Sequence, residues 1–345
     1  MSKIKILLII LLTINIIYVT GGILFHPIQS MDTVGIWMLK AKAIYLENNL
    51  PLDFLKSVNY SYSHQQYPLL VPFLYSLIFK LSGSVNELPA LLMSPVVYLA
   101  ILIICFKVFS KTNSSGLALI FVYFYSMFSA LIGQAGRGHG GNADIFLVFM
   151  GWLLLNQIIN FKENKSLVLI CIIIAVASQI KNEGIFLITL LLFLKTSRKN
   201  KLFALASSLS PFLFWQMIIF RYKIPTDISI TWLPLAEIVH NFVILLFGFL
   251  KEMVNFKNWY IFWPMFFLSL FLPGKLNETT KRIILPALIL QIFLYFIVFI
   301  FSDIPITIFT TSALDRVLLQ MSPFYFYIFF GKVRQWSVWK YKIKH

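Results

Sequence analysis

Apolar residues in this chain come in repeated blocks of roughly 16–22, each closed by a short polar cluster. That length crosses about 30 Å of hydrocarbon at about 1.5 Å rise per residue. Composition agrees, with 59% apolar residues, 12% charged residues and a mean hydropathy of +0.83. Soluble domains carry about 25% charged residues, so a soluble domain is excluded. The expected fold class is all-α: a polytopic membrane protein with about ten spanning helices. No small-residue cleavage site follows the first block, 4–25, so a retained first helix is expected there instead of a removed signal peptide.

The expected spans are about 4–25, 88–108, 116–136, 145–161, 166–180, 184–197, 202–220, 258–274, 283–302 and 317–331. Lys and Arg outnumber Asp and Glu by 29 to 13, a net charge of +16. The basic residues sit between apolar blocks, so topology and anionic lipid headgroups account for them better than nucleic acid does. With the N-terminus inside, the inner segments hold Lys3, Lys5, Lys107, Lys111, Lys162, Lys165, Lys195, Arg198, Lys199, Lys201, Lys275, Lys281 and Arg282. A basic tail adds Lys332, Arg334, Lys340, Lys342 and Lys344, which brings the inner share to 18 of the 29. This bias predicts both termini in the cytoplasm, with one membrane domain over 1–335 and a basic cytoplasmic tail over 336–345. The frame requires that 67–83, with Pro68, Pro72 and Lys80, and 233–257, with Lys251, Glu252 and Lys257, lie in the outer interface without crossing. The fifth and sixth spans are short enough to form a shallow hairpin instead. Cys105 and Cys171 fall inside apolar blocks, where packing is the expected role.

Polar residues gather in the outer segments. Asp32 follows the first span by seven residues, at headgroup depth, and Trp37, Lys40 and Lys42 follow it on an expected amphipathic helix. Lys40 and Lys42 are of the type that pairs with a phosphate or diphosphate; anchoring an interfacial helix is the plainer role. His64 and Tyr67 lie in a run dense in aromatic, hydroxyl and amide groups that suits sugar binding or an interfacial belt. The second outer loop carries Arg137, His139 and Asp144 together with four glycines that allow close backbone approach to a ligand, and Arg137 and Asp144 bracket it at the membrane edge. A simple flexible turn has the same composition, but an ionisable residue opening a span is costly enough to mark function. The turn between the short spans carries Lys181 and Glu183, which could merely neutralise each other, and Arg316 opens the last span. His26, His64, His139, Asp32 and Asp144 are metal-ligating types, yet no pair has ligand spacing, so no metal or other cofactor is expected. Hydrolase, P-loop and dinucleotide motifs are absent.

Taken in order, these pieces resemble the GT-C superfamily of membrane glycosyltransferases, near its protein O-mannosyltransferase and aminoarabinose-transferase-like branch. The matching segments are Asp32, Trp37-x2-Lys40-Ala-Lys42, His64-x2-Tyr67-Pro68-Leu-Leu-Val-Pro72, Asn142-Ala-Asp144, Lys181-Asn-Glu-Gly184 and Ser312-Ala-Leu-Asp315-Arg316, over about 1–335. The resemblance implies inverting transfer of a sugar from a polyprenyl-phosphate donor to a lipid-linked or cell-envelope acceptor. The expected place is the outer face of a bacterial plasma membrane. It implies Asp32 as catalytic base, a comparable role for Asp144, and Lys40, Lys42, Lys181 or Arg316 at the donor phosphate. The chain departs from the pattern in having Met31 before Asp32 and Gln65-Gln66 before Tyr67-Pro68, where such relatives carry Trp and Pro-Asp. A flippase or transporter would place ionisable residues in mid-span within repeated halves, and neither is evident. A polysaccharide polymerase or ligase would concentrate its polar signals in a late outer loop, whereas here they concentrate in the first.

Overall fold

The computed structural model describes residues 3–26, 30–136, 138–226 and 229–344, with the side chains of 163, 164 and 337–344 left out. Arg137, one of the residues singled out above, lies outside the described residues. The fold is all-helical, with about 80% helix and, among the described residues, no strands. An isolated antiparallel bridge pairs Ile230 with Ser302. Among the described residues four helices are long and apolar enough to cross a membrane: Lys3–Phe25, Glu87–Ser110, Arg198–Tyr222 and Thr280–Ile300. The count rises to five if Ser115–Ser126 and Ser129–Ala135, bent by 72°, form one broken span. Helix satisfies every backbone amide internally, which is what a lipid-immersed segment requires.

The short helix Asp144–Ile159 is the centre of the packing. Asp144, Ile145, Phe146, Leu147, Val148, Gly151, Trp152, Leu154, Leu155 and Ile158 are all buried along it, so its apolar character serves contact on every side. The last helix, Leu314–Lys344, lies against it. A Cβ on Gly151 would stand 3.2 Å from Pro323 Cγ, which shows how closely the two helices approach. The helix Glu163–Ile180 and the helix Met93–Ser110 pack on its other sides. The rim is the reverse case. Ile6, Leu7, Ile10, Ile14 and Ile17 of the first helix are exposed, as are Phe203, Phe214, Met217 and Phe220 of Arg198–Tyr222. Such apolar outward faces are compatible with a multi-pass membrane protein.

Several expected spans take a different form. The stretch expected at 258–274 is split into Phe256–Trp259 and Phe262–Leu270. Tyr260 between them has φ 50°, and nine residues rise only about 14 Å. The stretch at 184–197 begins as a 3₁₀ segment, Asn182–Ile188, and ends as the single turn Thr189–Phe193. The stretch at 116–136 bends at Met127 and Phe128. Leu70–Ser82, at 13 residues, rises about 20 Å. Leu235–Met253 is long enough at 19 residues but carries Glu237, Lys251 and Glu252, and it is not among the four. The last helix runs without a break from Leu314 through the basic tail to Lys344.

Two ends of the bundle are chemically distinct. At one end Lys5 Nζ donates to Ser115 Oγ (2.6 Å), Lys111 Nζ to Asn156 Oδ1 (3.0 Å) and Lys332 Nζ to Leu272 O (2.8 Å). At the other end, the start of Asp144–Ile159, the end of Glu163–Ile180 and the start of the last helix come together. Lys332 lies sixteen residues beyond Arg316 on one helix, about 24 Å along its axis.

Candidate functional site

Two loops are tied together first. Thr33 Oγ1 lies 2.7 Å from Asn142 Oδ1 and 3.0 Å from Gly140 O, its single proton shared between them. Gly141 donates to Ser94 Oγ (2.8 Å) and accepts from the Tyr75 hydroxyl (2.9 Å). Its φ of 93° is one that only glycine adopts without strain, and a Cβ there would meet Thr33 Cγ2 at 2.6 Å. The segment after the first helix is thereby anchored to the segment that opens the central helix. Asp32 and Asp144 are brought to one place by these contacts.

Between the two carboxylates stands Arg316, in the first turn of the last helix. Its Nη1 is 2.5 Å from Asp32 Oδ2 and 3.9 Å from Asp144 Oδ2. Its Nε donates to Ser312 O at 3.0 Å. Arginine has five N–H donors in a planar fork, and Nη2 makes no bond among the described residues. Asp144, 1% exposed, is committed on its other oxygen, where Oδ1 accepts from Lys181 Nζ at 3.2 Å and from Gln320 Nε2 at 2.6 Å. Gln320 is itself oriented by the Tyr295 hydroxyl, which donates to its Oε1 at 2.8 Å. Asp32 is partly exposed, and its Oδ1 makes no bond among the described residues.

Lys181 and Glu183 arrive through a tight reversal. The Gly184 amide donates to Lys181 O at 2.9 Å, and a Cβ on Gly184 would lie 2.0 Å from the carbonyl oxygen of Ala177. No other residue fits without moving the end of the preceding helix, so the Lys-Asn-Glu-Gly spacing has a mechanical reason. Lys181 Nζ is 3.3 Å from Glu183 Oε1 as well as 3.2 Å from Asp144. Burial works against its charge, but Asp144 and Glu183 outweigh that and hold the ammonium above the usual lysine range.

Tyr67 closes the next side. Its ring stacks on His64 at 5.1 Å and on Trp37 at 5.8 Å. Lys40 Nζ and Lys181 Nζ lie 5.6 Å and 5.8 Å from its centroid, a cation–π distance on both counts. Lys40 is fully buried and donates to His64 O at 2.6 Å, so it fixes the loop that carries Tyr67. Trp215 Nε1 pins the same loop through Gln66 O at 2.8 Å.

Eight of the expected residues therefore belong to one connected set: Asp32, Asp144, Lys181, Glu183, Arg316, Tyr67, His64 and, beneath them, Lys40. Lys42 stands apart, paired with Glu87 in a half-exposed ion pair. His139 is exposed on its turn and makes no side-chain bond among the described residues. Gln320 and Tyr295 are the residues that sequence reasoning missed. Gln320 had a usable signal, since it lies four residues after Arg316 and so on the same helix face. Tyr295, an aromatic residue within an apolar block, had none. Among the described residues no group of three or more His, Cys, Asp or Glu side chains is arranged to hold a metal ion.

This geometry offers a partly exposed carboxylate and an arginine with an uncommitted edge, backed by a buried carboxylate whose charge is matched on both sides. No protein-family model, no curated protein and no solved structure matches the chain.

Proposed function

We propose that the chain is a multi-pass membrane glycosyltransferase of GT-C type, moving a sugar from a polyprenyl-phosphate donor to a lipid-linked or cell-envelope acceptor with inversion. In this reading about ten segments enter the membrane, several of them broken. Both termini are cytoplasmic, the carboxylate end faces outward, and the membrane is a bacterial plasma membrane. The observation that carries it is the Asp32–Arg316 pair beside Asp144, drawn from three segments far apart in the chain.

A glycosyl phosphate is already activated, so the protein has two tasks: accept the acceptor's proton and stabilise the departing phosphate. Asp32 suits the first, because it is reachable and keeps one oxygen unbonded. The acceptor oxygen attacks the anomeric carbon as its proton passes to Asp32, and the bond from that carbon to the phosphate oxygen breaks. Arg316 suits the second, since Nη2 is available to a phosphate oxygen while Nη1 holds Asp32 in place. Asp144 acts on orientation, because its oxygens are spent on Lys181, Gln320 and Arg316. Tyr67, with His64 and Trp37 stacked beside it, offers an aromatic surface for a sugar face. The segregation of basic contacts at the opposite end of the bundle supports the orientation.

The test is incubation of the purified full chain with a panel of polyprenyl-phosphate sugars, following donor consumption. Consumption of at least one donor, lost in Asp32→Asn, is the expected result. A well-folded protein that consumes none across the panel argues against transfer.

A further inference from the structure

The last helix brings two donors to the same buried carboxylate. Arg316 Nη1 stands 3.9 Å from Asp144 Oδ2, too far for a hydrogen bond. One turn further on, Gln320 Nε2 donates to Asp144 Oδ1 at 2.6 Å. Residues four apart share a helix face, so the amide and the guanidinium compete for one acceptor group. The amide has the shorter contact, and Lys181 Nζ reinforces it on the same oxygen at 3.2 Å.

A buried carboxylate facing a guanidinium ordinarily takes it as a two-pronged pair, among the strongest contacts open to either group. Asp144 and Arg316 do not make that pair. Arg316 instead spends Nη1 on Asp32 Oδ2 at 2.5 Å and Nε on Ser312 O at 3.0 Å. The amide that stands between them is held at both of its polar atoms. Its Nε2 is on Asp144, and its Oε1 accepts from the Tyr295 hydroxyl at 2.8 Å. Gln320 is 7% exposed and Tyr295 3%, so little water competes for either bond. Tyr295 comes from Leu285–Ile300, a different helix, and so ties the amide to a second element.

We propose that Gln320, held by Tyr295, is a positioning residue that keeps Asp144 from capturing Arg316. The guanidinium thereby stays on Asp32, with its Nη2 edge left to an approaching anion. The consequence for donor binding rests on the transferase reading; the stance of Arg316 does not.

The experiment is arginine-selective modification by phenylglyoxal of the full chain in detergent, read at Arg316 by peptide mass spectrometry. It needs no sugar donor. Gln320→Met removes the amide at similar length, so Asp144 takes the guanidinium. The Arg316 rate should then fall by about tenfold, the worth of one hydrogen bond to a charged group. Tyr295→Phe loosens the amide without deleting it, and a fall of about threefold is expected. Adding Asp144→Asn to Gln320→Met removes the capturing charge and should restore most of the rate, an outcome that lost packing does not produce. Gln291→Met is the control. The Gln291 amide is 2% exposed and donates to Phe186 O at 3.2 Å and Thr189 Oγ1 at 3.0 Å, not to Asp144. Its loss should lower the unfolding temperature and leave the Arg316 rate unchanged. Should Gln320→Met not fold, Tyr295→Phe with and without Asp144→Asn carries the same comparison. Equilibrium binding of a polyprenyl-phosphate sugar should follow the same order of variants. If the modification rates keep that order while no such donor binds, the stance of Arg316 holds and the transferase reading falls. An Arg316 rate unchanged in Gln320→Met and Tyr295→Phe, or lowered further by Asp144→Asn, overturns the proposal.

Discussion

Arg316 Nη1 lies 2.5 Å from Asp32 Oδ2, although the two residues are 284 positions apart in the chain. The pair is partly exposed on both sides, so little of its worth is stability: exposed ion pairs contribute about 0–1 kcal/mol. Its consequence is positional. A guanidinium that holds a carboxylate with one nitrogen keeps a second nitrogen aimed at whatever anion approaches that carboxylate.

Replacing Arg316 by Lys keeps the charge and loses the fork, because an ammonium is a point charge that cannot hold two oxygens in a fixed plane. Donor binding should weaken by about tenfold or more in Arg316→Lys and further in Arg316→Ala, measured by equilibrium binding of a polyprenyl-phosphate sugar. Lys42→Gln is the contrast, since Lys42 is paired with Glu87 away from the cluster. Its donor affinity should stay within about twofold of the original, as befits an exposed pair. Unchanged affinity in Arg316→Ala would remove Arg316 from the donor site.

The buried pair of Lys181 with Asp144 predicts a stability effect that the exposed pairs do not. Removing one partner of such a pair leaves an uncompensated buried charge and costs about 3–5 kcal/mol. Glu183, 3.3 Å from Lys181, softens the loss on one side. Asp144→Ala should therefore lower the unfolding temperature in detergent clearly, and Asp144→Ala with Lys181→Met should recover part of the drop. Equal destabilisation by the single and double variants would mean that the two residues are not energetically coupled.

Gly184 gives the sharpest local prediction. With Ala177 O only 2.0 Å from where a Cβ would sit, Gly184→Ala must displace backbone and not merely a flexible side chain. A loss of about 1–3 kcal/mol is expected for such overpacking. Because the turn carries Lys181 and Glu183, transfer activity should fall with it, while Gly331→Ala in open space should alter neither. A Gly184→Ala protein with native unfolding temperature and native turnover would show that the reversal is not held as tightly as the contact implies.

Much of this arrangement was legible in the sequence, because ionisable groups are rare in apolar blocks and each one at a block boundary stands out. Asp32, Asp144, Lys181 and Arg316 were found that way, one boundary at a time. What the boundaries cannot show is who meets whom: the Asp32–Arg316 contact depends on Thr33, Gly140 and Asn142 locking two loops, and those are ordinary turn residues. Lys40 illustrates the opposite failure. Its position suggested a phosphate ligand, yet its ammonium is used on the carbonyl of His64, which only the fold of the loop reveals. Helix breaks were equally hidden. A run such as 258–274 is predominantly apolar, so hydropathy reads one span where the helix breaks at Tyr260.

Asp32 carries the mechanistic reading, and its substitution tests it most directly. Asp32→Asn keeps the size and planarity of the side chain but cannot take the acceptor's proton. Turnover should fall by about 10²–10⁴-fold, the usual worth of a general base. Donor binding should survive, because the variant still offers an oxygen to Arg316 Nη1 and leaves Nη2 as it was. Asp144→Asn differs in kind: its oxygens are occupied by Lys181 and Gln320, so its loss should fall on stability and orientation, with a milder change in turnover. Single-turnover sugar transfer beside donor binding for each variant separates the two. Near-normal transfer by a well-folded Asp32→Asn protein would sink the base assignment. A larger loss in Asp144→Asn, at unchanged unfolding temperature, would move the base to the buried carboxylate.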